Sequence, residues 1–364
     1  MGRIQQSDRL YDFLLPYINR SFRRAYRQVE YLHVENIPKD AAVIFAPNHA
    51  NTLMDPLAVL SIADRRMVFV ARADIFRHPL AARVLRFLKI LPIYRIRDGV
   101  DSLQQNEAIN ALSVDVLRDK VPFCILPEGT HRARHGLLPL RKGIGRIALD
   151  ACRQTDLPVY IVPVGLEYED YFEYRSRLLV RLGDPIDVRA FLRAMGEDSE
   201  SQQLHRLLEV LRDRMQETLV YIPDTEDYPA VWDGANALCG RASSLRERQC
   251  ALQDGVSQIL AGGPEVLEQA RKLHDWREAA GIRVESLSGA RGHLWGRGLL
   301  LGLSAPLFLL SGGILLPALA LLLPLLRGLK DRAWANSIRM VTYTLFLPTF
   351  WLLGGIVLAF FIPL

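Results

Sequence analysis

Only four cysteines occur in the chain, Cys124, Cys152, Cys239 and Cys250, with no C-x-x-C and no spacing that suits a metal. That argues against a disulfide-stapled scaffold and leaves reduced, structural thiols of a domain facing the cytosol as the expectation. Nucleotide signatures are also missing: there is no P-loop and no G-x-G-x-x-G. A G-x-S-x-G elbow is absent, which removes the usual serine nucleophile of lipid and thioester hydrolases. His33, His49, His78, His131 and His135 are scattered, and "HRARH" has only a loose ligand spacing with two arginines inside it, so no metal is expected. Leu10–Ile18 is too short for a secretory leader and is interrupted by Asp12 and Pro16, so no signal peptide is expected.

The scarcest feature is local. Residues 299–326 and 341–364 contain no Asp, Glu, Lys or Arg, although charged residues make up 23% of the chain. A bilayer core needs about 20 apolar helical residues, and both runs exceed that length. A C-terminal pair of membrane segments is therefore expected, anchoring residues 291–364. Flanking charge creates a conflict. Arg291 and Arg297 precede the first run, and Arg327, Lys330, Arg332 and Arg339 follow it against Asp331 alone. The positive-inside rule wants both ends on the cytoplasmic side. Two solutions stay open: two ordinary spans with a tolerated violation, or a re-entrant hairpin folding at Gly312–Gly313.

What remains is an α/β pattern. "AAVIFAP" (41–47), "MVFVAR" (67–72), "ILPIYR" (90–95), "VPFCILP" (121–127), "VYIVPVGL" (159–166) and "LLVRLG" (178–183) have strand length and composition. Helix candidates lie between them: Asp55–Ala63, Ser102–Arg118 with Ser102 and Gln105 at capping-box spacing, and Lys142–Arg153. The alternation predicts a mixed or parallel sheet covered by helices over 30–190, with ligands at the carboxyl ends of strands. His49 and Glu128 each follow a strand candidate. Residues 191–290 read as a charged helical subdomain of three- and four-residue apolar spacing. Residues 1–29 form a basic segment in which Arg20, Arg23, Arg24 and Arg27 flank Phe22 and Tyr26. It either lies on an anionic membrane or packs on its own domain. The net charge of +5 suits anionic lipids or anionic substrates, and no nucleic-acid module is recognisable.

Four stretches carry chemistry: "NHANTLMDP" (48–56), "LPIYRIRD" (91–98), "LPEGTHRARHGLLPLRKG" (126–143) and "IVPVGLEY" (161–168). A neutral imidazole can take a hydroxyl proton at neutral pH, and a carboxylate on its other nitrogen fixes the tautomer. His49 and Asp55 suit those two roles, and "PEGT" places Glu128, Gly129 and Thr130 in a tight turn. Set in this order, the stretches resemble the four sequence blocks of the glycerolipid acyltransferases, which form phosphatidic acid or its precursor.

The resemblance covers roughly 30–190. It implies an α/β acyltransferase domain that moves an acyl group from acyl-CoA or acyl-carrier protein onto a phosphorylated glycerol, with no cofactor. The acceptor it implies first is 1-acyl-glycerol-3-phosphate, then glycerol-3-phosphate, then another lysolipid. His49 becomes the base and Asp55 its orienter. Arg95 would bind phosphate, with Arg97 a weaker candidate. Glu128, Gly129 and Thr130 would bind the acceptor, Glu128 through glycerol hydroxyls or by holding an arginine. Pro163 would shape the pocket, and Arg141 and Lys142 would reach donor phosphates.

Two departures from the family stand out. Five residues separate His49 from Asp55 where four are usual, as in fungal-type glycerol-3-phosphate acyltransferases. His131 stands where relatives have arginine, so Arg132 or Arg134 is expected to replace that cation. The partners implied are membrane lipid and acyl donor, at the inner or cytoplasmic membrane with the catalytic domain facing the cytoplasm. A noncatalytic membrane scaffold is the rival reading, which His49, Asp55 and Glu128 argue against.

Overall fold

Runs rich in Val, Ile and Phe between residues 28 and 187 make one eight-stranded sheet. The computed structural model describes residues 3–94, 102–196, 198–287 and 294–361, and divides the chain into two units. Unit 1 holds Met1–Tyr171 and Arg175–Tyr221; unit 2 holds Phe172–Tyr174 and Ile222–Leu364. The expected boundary near 190 thus falls inside unit 1, because two further helices cover the sheet.

Unit 1 runs in the order α1 (Arg9–Ala25), β1 (Gln28–Leu32), β2 (Ala42–Pro47), α2 (Met54–Ala63), β3 (Val68–Arg72), α3 (Pro79–Phe87) and β4 (Ile90–Ile93). It continues with α4 (Ser102–Arg118), β5 (Phe123–Cys124), α5 (Gly143–Gln154), β6 (Val159–Tyr168), β7 (Arg177–Leu182), β8 (Ile186–Asp187), α6 (Val188–Met195) and α7 (Glu200–Gln216). The strand order is β1-β7-β6-β2-β5-β3-β4, with β8 on β6. β2 pairs in parallel with both β5 and β6, whereas β6 meets β7 and β8 antiparallel, so the sheet is mixed. All six expected strands form. β1, β8 and α3 were not anticipated: β1 and β8 lie at or beyond the ends of the run of strand candidates, and α3 is short with no buried residue.

Every residue of β2 is buried, as a strand between two parallel neighbours requires. Ile44, Val68, Phe123 and Ile161 from the strands meet Val114 and Leu117 of α4, Ile144 and Ala148 of α5, and Leu207 and Leu211 of α7. Each such fully buried side chain contributes about 1.5–3 kcal/mol. Gly165 of β6 is fixed by close packing: a Cβ there would lie 2.3 Å from the Thr218 carbonyl oxygen just past α7. That accounts for the glycine of the fourth block by packing alone.

The N-terminal segment is a helix packed on its own domain. Asp8 caps α1 by accepting from the Leu10 and Tyr11 amides, which would otherwise have no intrahelical partner. Tyr11, Leu15, Asn19, Phe22 and Ala25 face inward, and Arg23 donates to the Ser61 carbonyl at the end of α2. The Ser102 capping box has no description at its side chain.

Unit 2 contains α8 (Tyr228–Cys239), α9 (Leu245–Ala261), α10 (Gly263–Ala279), α11 (Leu294–Arg327), α12 (Ala335–Val341) and α13 (Leu347–Phe361). Phe172–Tyr174 belong to it: Arg339 donates to the Phe172 carbonyl, the Arg332 guanidinium lies 5.1 Å from the Phe172 ring centroid, and Tyr174 stacks near Tyr343. One of the two solutions left open by the sequence is removed here. α11 continues through 312–313 as unbroken helix, so no hairpin forms at Gly312–Gly313. Helix continuity is reasonable because the neighbouring residues are strong helix formers such as Leu and Ala. With side chains at 308, 310–315 and 317–318 outside the description, no helix among the described residues is long and apolar enough to cross a membrane.

Candidate active site

The carboxyl ends of β2 and β5 carry the site. His49 lies two residues past β2, and Glu128 four residues past β5. Asn48 locks the loop start to β6, since its side chain donates to the Leu166 carbonyl and accepts from the Leu166 amide. Asn51 donates to the Tyr171 carbonyl. Thr52, between His49 and Asp55, adopts a left-handed φ of 41°. The chain then enters α2, and Asp55 sits in its first turn, where the helix dipole favours a carboxylate.

His49 Nδ1 lies 2.7 Å from Asp55 Oδ2. The five-residue spacing therefore does not part the pair. Asp55 is fully buried and is satisfied by four donors. Oδ2 also accepts from the Ala50 amide at 2.9 Å and the Asn51 amide at 2.7 Å, and Oδ1 accepts from the Tyr168 hydroxyl at 2.6 Å. None of these partners is a cation. An ionised carboxylate only accepts, so Nδ1 carries the imidazole proton and Nε2 is left as the basic nitrogen. The His49 side chain keeps 17% exposure, enough for a reactant to reach it.

Glu128 ties two loops of the site together. Its Oε1 accepts from the His49 amide at 2.7 Å and its Oε2 from the Leu138 amide at 2.8 Å, so the carboxylate ties the histidine loop to the loop after "PEGT". Burial raises its pKa above the ordinary carboxylate range, and those two amides partly oppose the rise. The Arg132 amide donates to the His49 carbonyl and the Arg141 amide to the Pro127 carbonyl, completing the lacing. Gly129 has φ +68°, and a Cβ there would lie 3.3 Å from Arg141 Cγ; the turn needs glycine on both counts. Thr130 is exposed, the Arg132 side chain is half-buried and Arg134 is exposed. Arg141 and Lys142 are exposed as well. Pro163 is buried inside β6 opposite Ala46 of β2, a place in the sheet. Arg95 and Arg97 lie outside the described residues.

Three features were not assigned from the sequence. Tyr168, last residue of β6, closes Asp55's shell, and burial first, then the Asp55 charge, pushes its hydroxyl pKa well above the ordinary tyrosine value. A buried tyrosine hydroxyl must find a partner, which was the signal available. His131 packs edge-on to His49 with ring centroids 5.4 Å apart. His135 Nδ1 lies 3.1 Å from Glu167 Oε2, whose other oxygen accepts from the Val220 amide. Cys124 is buried, and burial with the nearby Asp55 charge raises its thiol pKa well above normal, which suits a structural thiol and not a nucleophile. Among the described residues no cluster of His, Cys, Asp or Glu could hold a metal ion.

Residues 28–167 match the family model "Acyltransferase". Glycerol-3-phosphate O-acyltransferase 1 of Saccharomyces cerevisiae is 34% identical over 105 residues, 28% of this chain and 14% of that protein. A 1-acyl-sn-glycerol-3-phosphate acyltransferase of Cocos nucifera is 28% identical over 201 residues, 55% of this chain and 60% of that one. This chain thus spans under two thirds of the length of either relative. Among solved structures, the 1-acyl-sn-glycerophosphate acyltransferase PlsC from Thermotoga maritima superposes with a TM-score of 0.40 at 22% identity, covering 58% of this chain and 83% of that one, a likeness at which no residue correspondence is drawn. Residues 28–167 thus match an acyltransferase family model, and the chain is similar over part of its length to glycerolipid acyltransferases.

Proposed function

We propose that the protein is an O-acyltransferase that converts 1-acyl-glycerol-3-phosphate to phosphatidic acid, with acyl-CoA or acyl-carrier protein as donor. The observation that carries this reading is the 2.7 Å contact of His49 Nδ1 with a buried, cation-free Asp55. In this mechanism Nε2 of His49 removes the proton of the acceptor hydroxyl as its oxygen attacks the thioester carbonyl. The imidazolium so formed is stabilised by Asp55. Collapse of the tetrahedral intermediate forms the ester and expels the thiolate, which takes the proton back from Nε2 and leaves as thiol. No side-chain nucleophile takes part, in keeping with the raised thiol of Cys124.

Arg95, Arg132 and Arg134 are the cations assigned to the acceptor's phosphate, since a guanidinium offers forked donors to phosphate oxygens. Gly129 and Thr130 are assigned to the acceptor through backbone approach and the threonine hydroxyl, and Pro163 to the wall of the pocket. Glu128 contributes by fixing the His49 backbone. The uncharged runs at 299–326 and 341–364 serve as the membrane anchor, with the acyltransferase domain on the cytoplasmic face. An acyl chain gains about 0.8 kcal/mol for each methylene kept out of water, so an enzyme held at the bilayer avoids exposing its acceptor's chain to water.

Glycerol-3-phosphate is the second reading. It is favoured by the extra residue between His49 and Asp55 and by the relative named for that reaction. The test is to incubate membranes containing the protein with labelled acyl-CoA or acyl-carrier protein and each acceptor in turn. Labelled phosphatidic acid from the lysolipid supports the first reading, and labelled lysolipid from glycerol-3-phosphate supports the second. No labelled glycerolipid with any acceptor leaves a noncatalytic scaffold.

A further inference from the structure

The two histidines of "HRARH" (131–135) part company in the folded chain. His131 turns to His49, with ring centroids 5.4 Å apart and planes at 70°, the edge-to-face arrangement that aromatic rings favour. His135 turns inward, where its Nδ1 lies 3.1 Å from Glu167 Oε2 and its ring centroid 5.3 Å from that of Tyr171. Between them the backbone folds in successive tight turns. The Arg134 amide reaches the Arg132 carbonyl at 2.8 Å, and the Gly136 amide reaches the Arg134 carbonyl at 3.1 Å.

The contact at His49 falls where the base needs support. Asp55 takes Nδ1 and so fixes one edge of the ring, while the opposite edge carries the basic Nε2. A hydrogen bond at one nitrogen still lets the ring tilt about that point, and the last torsion of a histidine is soft. Packing against the ring limits the tilt, and His131 supplies it. The Arg132 amide donates to the His49 carbonyl at 2.9 Å, so the same loop grips the histidine by backbone and by ring.

That loop is fixed from behind. The His135 and Glu167 side chains are 5% and 10% exposed, so water competes little for their bond. Glu167 is itself held in β6, and its other oxygen accepts from the Val220 amide at 2.6 Å. Arg212 of α7 donates to the Leu137 and Leu138 carbonyls. His131 can leave the His49 ring only by straining a loop tied at 132, 135, 137 and 138.

We propose that His131 is a positioning residue for the catalytic base: its ring buttresses the His49 imidazole, and the His135–Glu167 pair anchors the buttress. The inference rests on the acyltransferase reading for its chemistry and on the ring contact for its geometry. A general base works by being held at the proton it removes, and small misplacements cost large factors in rate. The role belongs to the ring and not to its charge, which separates it from the phosphate binding assigned to Arg132 and Arg134.

His131→Ala, His131→Phe and His131→Arg in the full chain test this by two readouts. One is labelled acyl transfer to 1-acyl-glycerol-3-phosphate; the other is the rate at which diethyl pyrocarbonate modifies His49, followed by peptide mass spectrometry. His131 is half-buried, and unchanged thermal unfolding verifies that each variant is folded. His131→Ala should lower kcat by roughly fivefold or more, with both KM values held within about twofold. It should also speed modification of His49. His131→Phe should restore both readouts, and His131→Arg neither. His135→Phe removes the bond to Glu167 and should lower kcat roughly threefold, with no further loss in the His131→Ala background. A raised acceptor KM at unchanged kcat, repaired by arginine and not by phenylalanine, would make His131 a phosphate ligand and overturn the proposal. So would a His131→Phe protein as slow as His131→Ala, or an equal effect of His135→Phe in both backgrounds. A native chain that transfers no acyl group but shows the expected His49 modification pattern would keep the buttress and discard the acyltransferase reading.

Discussion

Each unit holds a histidine–aspartate pair that closes at 2.7 Å, and the two are held in opposite ways. In unit 1, Asp55 receives His49, two backbone amides and a tyrosine hydroxyl. In unit 2, Asp233 of α8 receives His274 Nδ1 and, at 2.6 Å, the Arg277 guanidinium, both from α10. Exposure does not separate them, since the His49 and His274 side chains are 17% and 25% exposed. The cation does. Arg277 already balances the Asp233 charge, so little of that charge remains to stabilise an imidazolium, and the triad works as a strut between two helices. Asp55 has only neutral donors beside its histidine, so a proton arriving on His49 meets the carboxylate's full charge. A His–Asp distance alone therefore says nothing about function; the rest of the carboxylate's shell decides it.

The comparison breaks most visibly if the two histidine sites are disabled in turn. His49→Ala should lower turnover by about 10²–10⁴-fold, the range for a positioned general base, with thermal unfolding unchanged. Labelled acyl transfer together with differential scanning fluorimetry measures both. Near-normal turnover would remove His49 from the mechanism. Asp233→Ala should do the reverse. It leaves Arg277 with Glu278 as its remaining carboxylate and should destabilise unit 2 by about 1–3 kcal/mol, with transfer per folded molecule retained. A folded Asp233→Ala protein without turnover would mean that the strut is part of the chemistry.

A finer cut tests the neutral shell. Tyr168→Phe removes one hydrogen bond to a charged acceptor, worth about 1.5–3 kcal/mol, and should lower kcat roughly tenfold or more while KM holds. In a His49→Ala background the same change should have no further effect, because Tyr168 acts only through the dyad. An equal loss in both backgrounds would show Tyr168 to be structural alone.

Much of unit 1 was legible because its strands are short, apolar and buried on both faces, and because motif residues sit at strand ends. The His49–Asp55 pair was readable from two residue types at close spacing. Its shell was not. Two of Asp55's donors are backbone amides, which any residue supplies, and the third, Tyr168, comes from a strand more than a hundred positions away. Glu128 was readable as important but not as a backbone clamp, since its partners are again amides. The hairpin kept as an alternative at Gly312–Gly313 came from weighing flanking charge against local helix preference, and the helix prevailed.

Glu128 extends the contrast to stability. Like Asp55 it is buried with neutral donors only, and burial raises its folded pKa above the unfolded value of 4.5. Between 4.5 and that raised value the folded state holds more of this proton than the unfolded chain does. Stability from this group therefore falls as pH rises through the window, and is highest below 4.5. Glu128→Gln removes that slope while keeping one amide-accepting oxygen. Thermal unfolding in detergent from pH 4.5 upward should thus fall more steeply for the native chain than for the variant. The Gln side chain cannot accept from both amides, so the variant should also sit lower at every pH by about 1–3 kcal/mol, the penalty for an unsatisfied buried donor. Parallel profiles for the two proteins would mean that the His49 loop is held without a proton-linked cost, and that cation-free burial at this carboxylate has no influence on folding.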